Sequence, residues 1–566
     1  MRKNLKNMKY LPAVIFVASM LAAVTAVTAQ SPQDNGYNAK MDLIAPYQPT
    51  ISDAFKINVN PVIKDTVMTM PKVTYSVLPR QMKTSFTPDP IKPAKVGEPT
   101  LTKLYRFLAK GGFGTYTTPY GEFFANNTYS KSFSMGAHYK HLSSSGKLKG
   151  YGYQGYSDNV LDFYGRKFLP SHTLSGGIGY QRNVVHYYGY KPADFISTLS
   201  KNDIKQRYQA VIANFRLTSL YPPDSVKFNH DIGMNYYYYN DRYGASENNF
   251  RIKGNVNKEL GLFKITKSQV LGVDADIDYY FNQDSLTNGN SGLIMLQPYI
   301  RTTFKGVMLH AGLNLSVEAA STSKMHLYPI VDAQFNVVKN ILVVFAGIKG
   351  DMQKNSFRSL STENPFVIST VPVGFSNNKF DVFGGIKSSI SRTMNFNAVA
   401  SYSRVKDMPF FINDTNNIYK NMFTVITDDV SLINIRGEFA YQKDDKYKLL
   451  LGGNFYNYTM DKELKPWHKP VFDAYLTFMY NIGDKFIINA DITGRSDVWA
   501  KNYTAVSVVP KKLNGYADVS LGIEYRYTKI LSAFLNLNNL LTTKYQEWNN
   551  YPTQGFNLLG GVTYAF

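Results

Sequence analysis

The residues LSAFLNLN at 531–538 and GFNLLGGVTYAF at 555–566 decide the fold of this chain. In the first segment the odd positions from Leu531 to Leu537 are apolar, and Ser532, Asn536 and Asn538 stand between them. A period of two places apolar and polar side chains on opposite faces of an extended chain. We therefore predict strands that bury only one face.

The same period of two recurs at distant points of the sequence. Its apolar positions include Phe133, Met135, Ala137 and Tyr139; Ile232, Met234, Tyr236 and Tyr238; and Phe486, Ile488, Ala490 and Ile492. Turn signals such as Ser143-Ser144-Ser145-Gly146 separate the segments. Between the segments, no stretch with helical periodicity is long enough to predict a helix. Between residues 101 and 566 we count roughly 20 such segments.

Two architectures could use this pattern, a soluble β protein or a membrane barrel. Strands of soluble propellers and sandwiches generally run to about 5–6 residues, whereas a tilted membrane strand needs about 9–11. The segments here are of the longer kind, and Tyr236–Tyr239, Tyr187-Tyr188, Tyr456 and Tyr458 suit aromatic belts. We predict an all-β fold: a transmembrane antiparallel β-barrel of roughly 20–22 strands over residues 101–566, placed in the outer membrane.

Composition excludes several other classes of protein. The 566 residues contain no cysteine, which rules out disulfides, thiolate zinc sites, cysteine catalysis and a lipoprotein anchor. A mean hydropathy of −0.25 argues against a bundle of membrane helices. The formal charge of +21 suits anionic lipid head groups, an acidic protein or anionic solutes.

Residues 1–29 have the order of a secretory signal peptide. Four basic residues up to Lys9 precede an apolar run from Leu11 to Val27, and Val27-Thr28-Ala29 offers a cleavage site. The alternative is an uncleaved membrane anchor, because the apolar run approaches the ~18 residues that a span needs. Export argues against nucleic acid as a partner.

Residues 30–100 form a proline-rich segment of a different kind. Ten of the 25 prolines lie between Pro32 and Pro99, and no apolar periodicity is sustained there. Proline lacks a backbone donor and disrupts both helix interiors and central strands. We predict an extended periplasmic segment and not a compact domain.

The segment 531–566 resembles the last two strands of TonB-dependent receptors of Bacteroidetes type. The residues that carry the likeness are Leu537-Asn538-Asn539-Leu540-Leu541, Lys544-Tyr545, Trp548, Tyr551-Pro552 and Gly561-Val562-Thr563-Tyr564-Ala565-Phe566. That family implies a 22-stranded barrel, an amino-terminal plug and energy-coupled import. Residues 30–100 are too short and too proline-rich for that plug. Residues 112–122 and 142–147 are also similar to plugless receptor-like barrels of the same bacteria.

Two short signals follow from this resemblance. Asp65, Thr66 and Val67 look like the start of the peptide through which such receptors are engaged by strand addition, although an ordinary linker remains the alternative. Gly561, Tyr564 and Phe566 match the glycine and aromatic spacing that the barrel assembly machinery recognises in proteins of this kind. The polar residue usual two positions before the glycine is replaced by Leu559.

Candidate chemistry is sparse in the sequence. Asp274, Asp276 and Asp278 share one strand face, so they could line the lumen and attract cations or a basic peptide; a solvated wall is the alternative. His138 and His141 should point to opposite faces, which defeats joint metal ligation. We predict no catalytic, cofactor-binding or metal-binding residue and a protein that is not an enzyme.

Two functions remain open from the sequence. One is an uptake or channel component of the outer membrane that resembles a plugless TonB-dependent receptor. The other is a structural or accessory subunit of an outer-membrane assembly, secretion or surface-display complex. Expected partners are outer-membrane lipids and the barrel assembly machinery, with a periplasmic or surface protein left open.

Overall fold

The computed structural model describes residues 104–566, apart from 129, 147, 197–198, 223–224, 262–265, 267–268, 287, 321 and 504–506. The predicted signal peptide at 1–29 lies outside the described residues. So does the proline-rich segment at 30–100, including Asp65, Thr66 and Val67.

The described chain forms one sheet of 22 strands together with smaller elements. The strands of the sheet are β1 Phe107–Gly114, β2 Thr118–Asn126, β3 Phe133–Ser144, β4 Tyr156–Phe168, β5 His172–His186, β6 Lys205–Ser219, β7 Asn229–Asn240, β8 Ser246–Leu260, β9 Gln269–Gln283, β10 Asn288–Phe304, β11 Val307–Ala319, β12 Lys324–Val338, β13 Leu342–Asn355, β14 Gly374–Ser391, β15 Met394–Asn413, β16 Phe423–Lys443, β17 Tyr447–Met460, β18 Phe472–Ile482, β19 Phe486–Arg495, β22 Tyr516–Arg526, β23 Leu531–Asn538 and β26 Asn557–Ala565. The smaller elements are a 3-10 turn Pro192–Asp194, helix α1 Phe357–Glu363 and the strands β20 Val498–Tyr503, β21 Val508–Leu513, β24 Gln546–Trp548 and β25 Tyr551–Pro552.

The sheet closes on itself. Consecutive strands pair antiparallel, β19 continues through β22, β23 and β26, and β26 pairs with β1. Closure pairs every strand with two neighbours, so the sheet has no open edge. The prediction of an antiparallel barrel of roughly 20–22 strands is confirmed.

Exposed apolar side chains follow the predicted parity on the strands. Met135 and Tyr139 of β3 are exposed, and so are Ile232, Met234 and Tyr236 of β7. Ile178 of β5 is 61% exposed on the same outer surface. Apolar residues cover the outside of the wall, as a barrel in lipid requires.

The connections differ greatly between the two ends of the barrel. One end, here called the turn end, carries both barrel termini and the connections 127–132, 169–171, 220–228, 261–268, 305–306, 339–341, 392–393, 444–446, 483–485 and 527–530. The opposite end, here called the loop end, carries the short connections 115–117, 241–245, 284–287 and 320–323 and the longer 145–155, 187–204, 356–373, 414–422, 461–471, 496–515 and 539–556. Most of the irregular chain therefore lies at the loop end.

Helix α1 begins with a reciprocal capping box between Ser356 and Ser359. Among the described residues, no helix has the length and apolarity needed to cross a membrane.

The aromatic-belt interpretation was wrong for Tyr187, Tyr188, Tyr458 and Tyr239, of which the last is 6% exposed and bonded to Ser361. Tyr187 is only 1% exposed, and Tyr188 donates its hydroxyl hydrogen to the carbonyl of Pro552 at 3.1 Å. Tyr458 packs against a buried cluster that contains Trp467. These rings belong to packing at the loop end, because loop residues distant in sequence cover them.

Candidate functional site

Long loops from nearly opposite sides of the barrel meet over the loop end. The side chain of Asn421, between β15 and β16, donates to the carbonyl of Tyr187, between β5 and β6, at 2.6 Å. Tyr187 in turn donates its hydroxyl hydrogen to the carbonyl of Val367 at 2.9 Å. We call the six loops that pack there the loop cap: 187–204, 356–373, 414–422, 461–471, 496–515 and 539–556.

The loop cap has an apolar core of its own. Val367 and Phe423 are fully buried, and Tyr551 is 2% exposed. The rings of Phe366 and Tyr551 stack with centroids 3.7 Å apart. Burying one large apolar side chain contributes about 1.5–3 kcal/mol, so several together hold these loops in one arrangement.

A buried carboxylate anchors helix α1 to the barrel wall. Glu247 of β8 is fully buried and accepts hydrogen bonds from the backbone nitrogens of Phe357 at 2.8 Å and Arg358 at 3.3 Å. It also accepts the hydroxyl hydrogen of Tyr237 at 2.7 Å. A negative charge at a helix amino terminus satisfies free N–H donors and suits the local dipole. Loop 356–373 is thereby tied to the wall.

A buried histidine joins two loops to the end of a strand. The Nδ1 of His468 donates to the carbonyl of Phe411 at 2.9 Å, and its Nε2 accepts from the backbone nitrogen of Asn549 at 3.3 Å. These roles require the neutral ring with hydrogen on Nδ1. Burial lowers the pKa of His468 to about 4, since the protonated ring would lose its hydration.

Ion pairs reinforce the loop cap. Lys501 of β20 binds the carboxylate of Glu463 at 2.8 Å, and the indole nitrogen of Trp467 donates to the same carboxylate at 2.7 Å. Lys469 binds Glu363 of helix α1 at 2.5 Å. Both partners of each of these ion pairs belong to the loop cap.

A cavity of about 380 Å³ adjoins the cap on the side of β4, β5 and β22. Its polar and aromatic lining includes His186, Tyr188, Asp518, Asn538, Tyr545 and Gln554. Tyr545 donates its hydroxyl hydrogen to Asp518 at 2.9 Å. The volume is in the range of small-molecule sites, and the lining could hold a polar solute.

The predicted acidic row lies on the polar face of β9, opposite basic and amide groups of β8. Arg251 binds Asp276 through Nε at 2.8 Å and Nη2 at 2.6 Å, and Lys253 approaches the same carboxylate at 3.4 Å. Asn255 donates to Asp274 at 2.7 Å, and Arg251 lies 3.7 Å from Asp278. Most of the row's negative charge is therefore matched within the wall.

The three residues of the predicted assembly signal lie where the barrel closes. Gly561 faces Gly112 in the register between β26 and β1, and a Cβ there would lie 2.2 Å from the carbonyl oxygen of Gly111. Tyr564 and Phe566 are exposed on the outer surface, and the ring of Phe566 stacks on Phe107 at 5.1 Å. The closing seam requires glycine at this point.

His138 and His141 have separate surroundings. His138 lies 3.1 Å from Glu122, whereas His141 contacts Asn159 at 2.7 Å. Within the described part of the chain, no group of three or more metal-ligating side chains converges.

Sequence reasoning missed the loop cap, although it joins distant parts of the chain, as the bond between Asn421 and Tyr187 does. All three tryptophans, Trp467, Trp499 and Trp548, lie in its loops. The sequence did offer a signal, because these large rings lie between the predicted strand segments, and Trp548 is three residues from Tyr551. Large aromatic residues in a loop indicate that the loop packs against something.

Comparison of the structure with solved structures gives likenesses in fold. The chain is similar to the ferric-catecholate import receptor Fiu of E. coli, with 11% identity, 82% of each chain covered and a TM-score of 0.61. It is similar to the FrpB iron transporter of Neisseria meningitidis, with 10% identity, 82% of each chain covered and a TM-score of 0.61. It is also similar to the pyoverdine outer membrane receptor FpvA of Pseudomonas aeruginosa, with 11% identity, 82% of this chain and 79% of that one covered and a TM-score of 0.60.

No protein-family model matches the sequence, and no curated protein sequence matches it. The likenesses therefore concern the fold, which this chain shares with large import receptors.

Proposed function

We propose that the protein is an outer-membrane barrel of receptor type, acting as an uptake component. The apolar outer wall, the closed 22-stranded sheet and the predicted signal peptide support this placement. In our proposal the turn end faces the periplasm, because it carries both barrel termini, and the loop cap faces outward.

The loop cap is the observation that carries the functional proposal. A barrel of 22 strands is wide enough to need something in its lumen, since otherwise it would leak. Loops that meet across the mouth, through Asn421, Tyr187 and Val367, restrict entry from outside. Uptake would then require a rearrangement of the loop cap, and the adjoining polar cavity would be the first place to hold a solute.

For the periplasmic side we propose that residues 30–100 replace the plug of related receptors. A proline-rich segment is stiff and could occlude the lumen or add a strand to a periplasmic partner. Asp65, Thr66 and Val67 are the residues that we propose for energy coupling. In a variant whose loop cap is opened at 357–363, deleting 30–100 should raise conductance if the segment occludes; in the otherwise unaltered chain the deletion should abolish recovery of a partner if it docks. A deletion that changes neither would overturn this role.

We assign no catalytic residue, cofactor or metal to the protein. The likenesses are to transport receptors. Within the loop cap Lys469 forms an ion pair with Glu363, and in the wall Arg251 forms one with Asp276 of the acidic row. The acidic row is proposed as part of a wetted lumen wall.

Conductance across a planar bilayer tests the proposal. We expect little conductance from the full chain and large steps from a variant that lacks 30–100 and has residues 357–363 replaced by a glycine-serine linker. The matched control also lacks 30–100 and has residues 527–530 at the turn end replaced by the same kind of linker. It should conduct no more than the variant that only lacks 30–100. Equal conductance of these two variants would contradict gating by the loop cap.

The accessory-subunit function has support of its own, since a tightly packed loop cap is also suited to a barrel that conducts nothing. Pulldown from native membranes separates the two functions. A double variant that stays silent, together with stoichiometric recovery of other envelope proteins, would replace uptake with the subunit function.

A further inference from the structure

The turn end presents a ring of exposed cations. Eight of its ten connections each contain one described cation, and the eight side chains are Lys131, Lys227, Lys305, Lys339, Arg392, Lys446, Lys485 and Lys529; a ninth connection contains Lys264 and Lys267, which lie outside the described residues. We call these eight residues the cationic collar. Its members are spread around the barrel, because each connection joins a different pair of strands.

Aromatic residues at least partly exposed stand next to several collar cations. Lys305 lies 5.4 Å from the ring centroid of Phe304, and Lys446 lies 5.6 Å from that of Tyr447. Phe228 follows Lys227 in sequence and is 58% exposed. Aromatic rings prefer the boundary between hydrocarbon and head groups, and lysine extends from there toward water. The collar therefore lies at head-group depth if the barrel spans a membrane.

Among the described residues, the collar cations have no carboxylate partners. Within the described part of the chain, none of the eight forms an ion pair with a carboxylate, although Lys485 donates to the carbonyl of Tyr527 at 3.3 Å. The nearest carboxylates in sequence form no described ion pair with the collar. Asp444 and Asp445 lie in the same connection as Lys446, and Asp484, beside Lys485, accepts a hydrogen bond from the side chain of Asn481 at 2.6 Å. Three cations of the loop cap, Lys469, Lys501 and Lys512, do have carboxylate partners.

We propose that the cationic collar binds the phosphate groups of anionic phospholipids in the leaflet around the turn end. The proposal depends on the membrane placement given under Proposed function, but not on uptake. Positive side chains at a membrane surface attract anionic lipids, and a ring of them samples the whole lipid shell of the barrel. Ammonium and guanidinium groups without carboxylate partners keep their donors for lipid phosphate.

Lipid selectivity measured by electron spin resonance tests the collar. The full chain is reconstituted in phosphatidylcholine with a trace of spin-labelled phosphatidylglycerol or phosphatidylcholine, and the motionally restricted fractions are compared. We expect phosphatidylglycerol to be favoured about two- to fivefold at low salt, falling toward parity in high salt because the attraction is screened.

Charge-neutral variants locate the effect. Changing all eight collar residues to glutamine should bring the preference close to parity. The matched control changes eight exposed cations near the loop end to glutamine and should keep the preference: Lys149, Lys191, Lys201, Arg242, Lys324, Lys420, Lys462 and Lys544. If the eightfold variant fails to fold by heat-dependent gel mobility, the fourfold variant K305Q, K339Q, R392Q and K529Q should lose part of the preference.

Three results would overturn the proposal: no preference in the unaltered protein, the same loss in both eightfold variants, or a folded collar variant that keeps the full preference. Because the assay contains no permeation step, its failure leaves the conductance test of the loop cap unaffected.

Discussion

The two ends of the barrel differ in how much aromatic surface their own connections bury. At the loop end, Trp467 and Phe423 are fully buried, and cations such as Lys501 bind carboxylates of the same loops. At the turn end, Phe228 and Lys305 are exposed, and no described carboxylate pairs with the lysine. The loop end buries large aromatic rings under its own loops, whereas the turn end leaves rings such as Phe228 exposed beside its cations.

Connection length explains this difference. Lys305 and Gly306 alone join β10 to β11, and so short a turn cannot reach across a wide lumen. Loop 356–373 is long enough to form a helix and to place Val367 beneath Tyr187. The same sheet thus supports a packed cover at one end and a bare rim at the other.

The largest effect should follow removal of a core ring from the loop cap. Phe423→Ala should lower the free energy of local opening of the loops by about 3–5 kcal/mol, because a fully buried ring is lost. Phe228→Ala at the turn end, where the ring is 58% exposed, is the control and should cost under about 0.5 kcal/mol. Hydrogen exchange of the loop amides measures both, and similar values would abolish the contrast between the ends.

The wall between the ends offers the next contrast. Met234→Arg should cost about 2–4 kcal/mol if this exposed residue lies near the bilayer midplane, whereas Asn235→Arg on the other face should be tolerated. The refolding free energy in lipid vesicles, followed by heat-dependent gel mobility, measures the difference. Equal tolerance would show that the assignment of the two faces is wrong.

A pair of glutamates at the two ends of β8 sharpens the comparison. Glu247→Gln should weaken the anchor of helix α1 by about 1.5–3 kcal/mol, since a buried carboxylate that accepts several hydrogen bonds is replaced. Glu259→Gln, near the turn end of the same strand, should leave protease cleavage of loop 356–373 unchanged. Faster cleavage in the Glu259 variant but not in the Glu247 variant would reverse the account.

Acid should loosen the loop cap and spare the turn end. The pKa of His468 falls to about 4 on burial, so the unfolded loop takes up a proton near pH 6.5 while the folded one resists it. Stability from the neutral ring is complete above pH 6.5 and decreases as the pH falls toward 4. At pH 5 the loss should be about 2 kcal/mol.

Hydrogen exchange of the amides near Asn549 at pH 7 and pH 5, corrected for intrinsic rates, measures this loss. His468→Asn removes the titration and should flatten the pH dependence. A dependence that persists in that variant would assign it to another group.

The sequence predicted the barrel because strand parity is local. Each alternating segment, such as 531–538, identifies its own apolar face, and the antiparallel order follows from short connections. The loop cap is not local: the bond between Asn421 and Tyr187 joins positions 234 residues apart. The pattern around Tyr187 is consequently the same whether the ring faces lipid or a distant loop.

The acidic row shows an intermediate case. Alternation placed Asp274, Asp276 and Asp278 on one face, but their partners lie on the preceding strand, and Arg251 is 25 residues before Asp276. Predicting the pairing would have required the register between β8 and β9. The cationic collar was hidden for a related reason, since its members form a ring only once the turns are known.

A distance measurement across the mouth tests the central claim, that opposite loops meet in one cap. The chain has no cysteine, so Ile196→Cys and Ile418→Cys introduce two unique sites for spin labels. Both side chains are exposed, and their neighbours Phe195 and Tyr419 have ring centroids 4.7 Å apart. Double electron–electron resonance in lipid should give a single, narrow, short distance. A broad distribution that reaches the width of the barrel would contradict the packed loop cap.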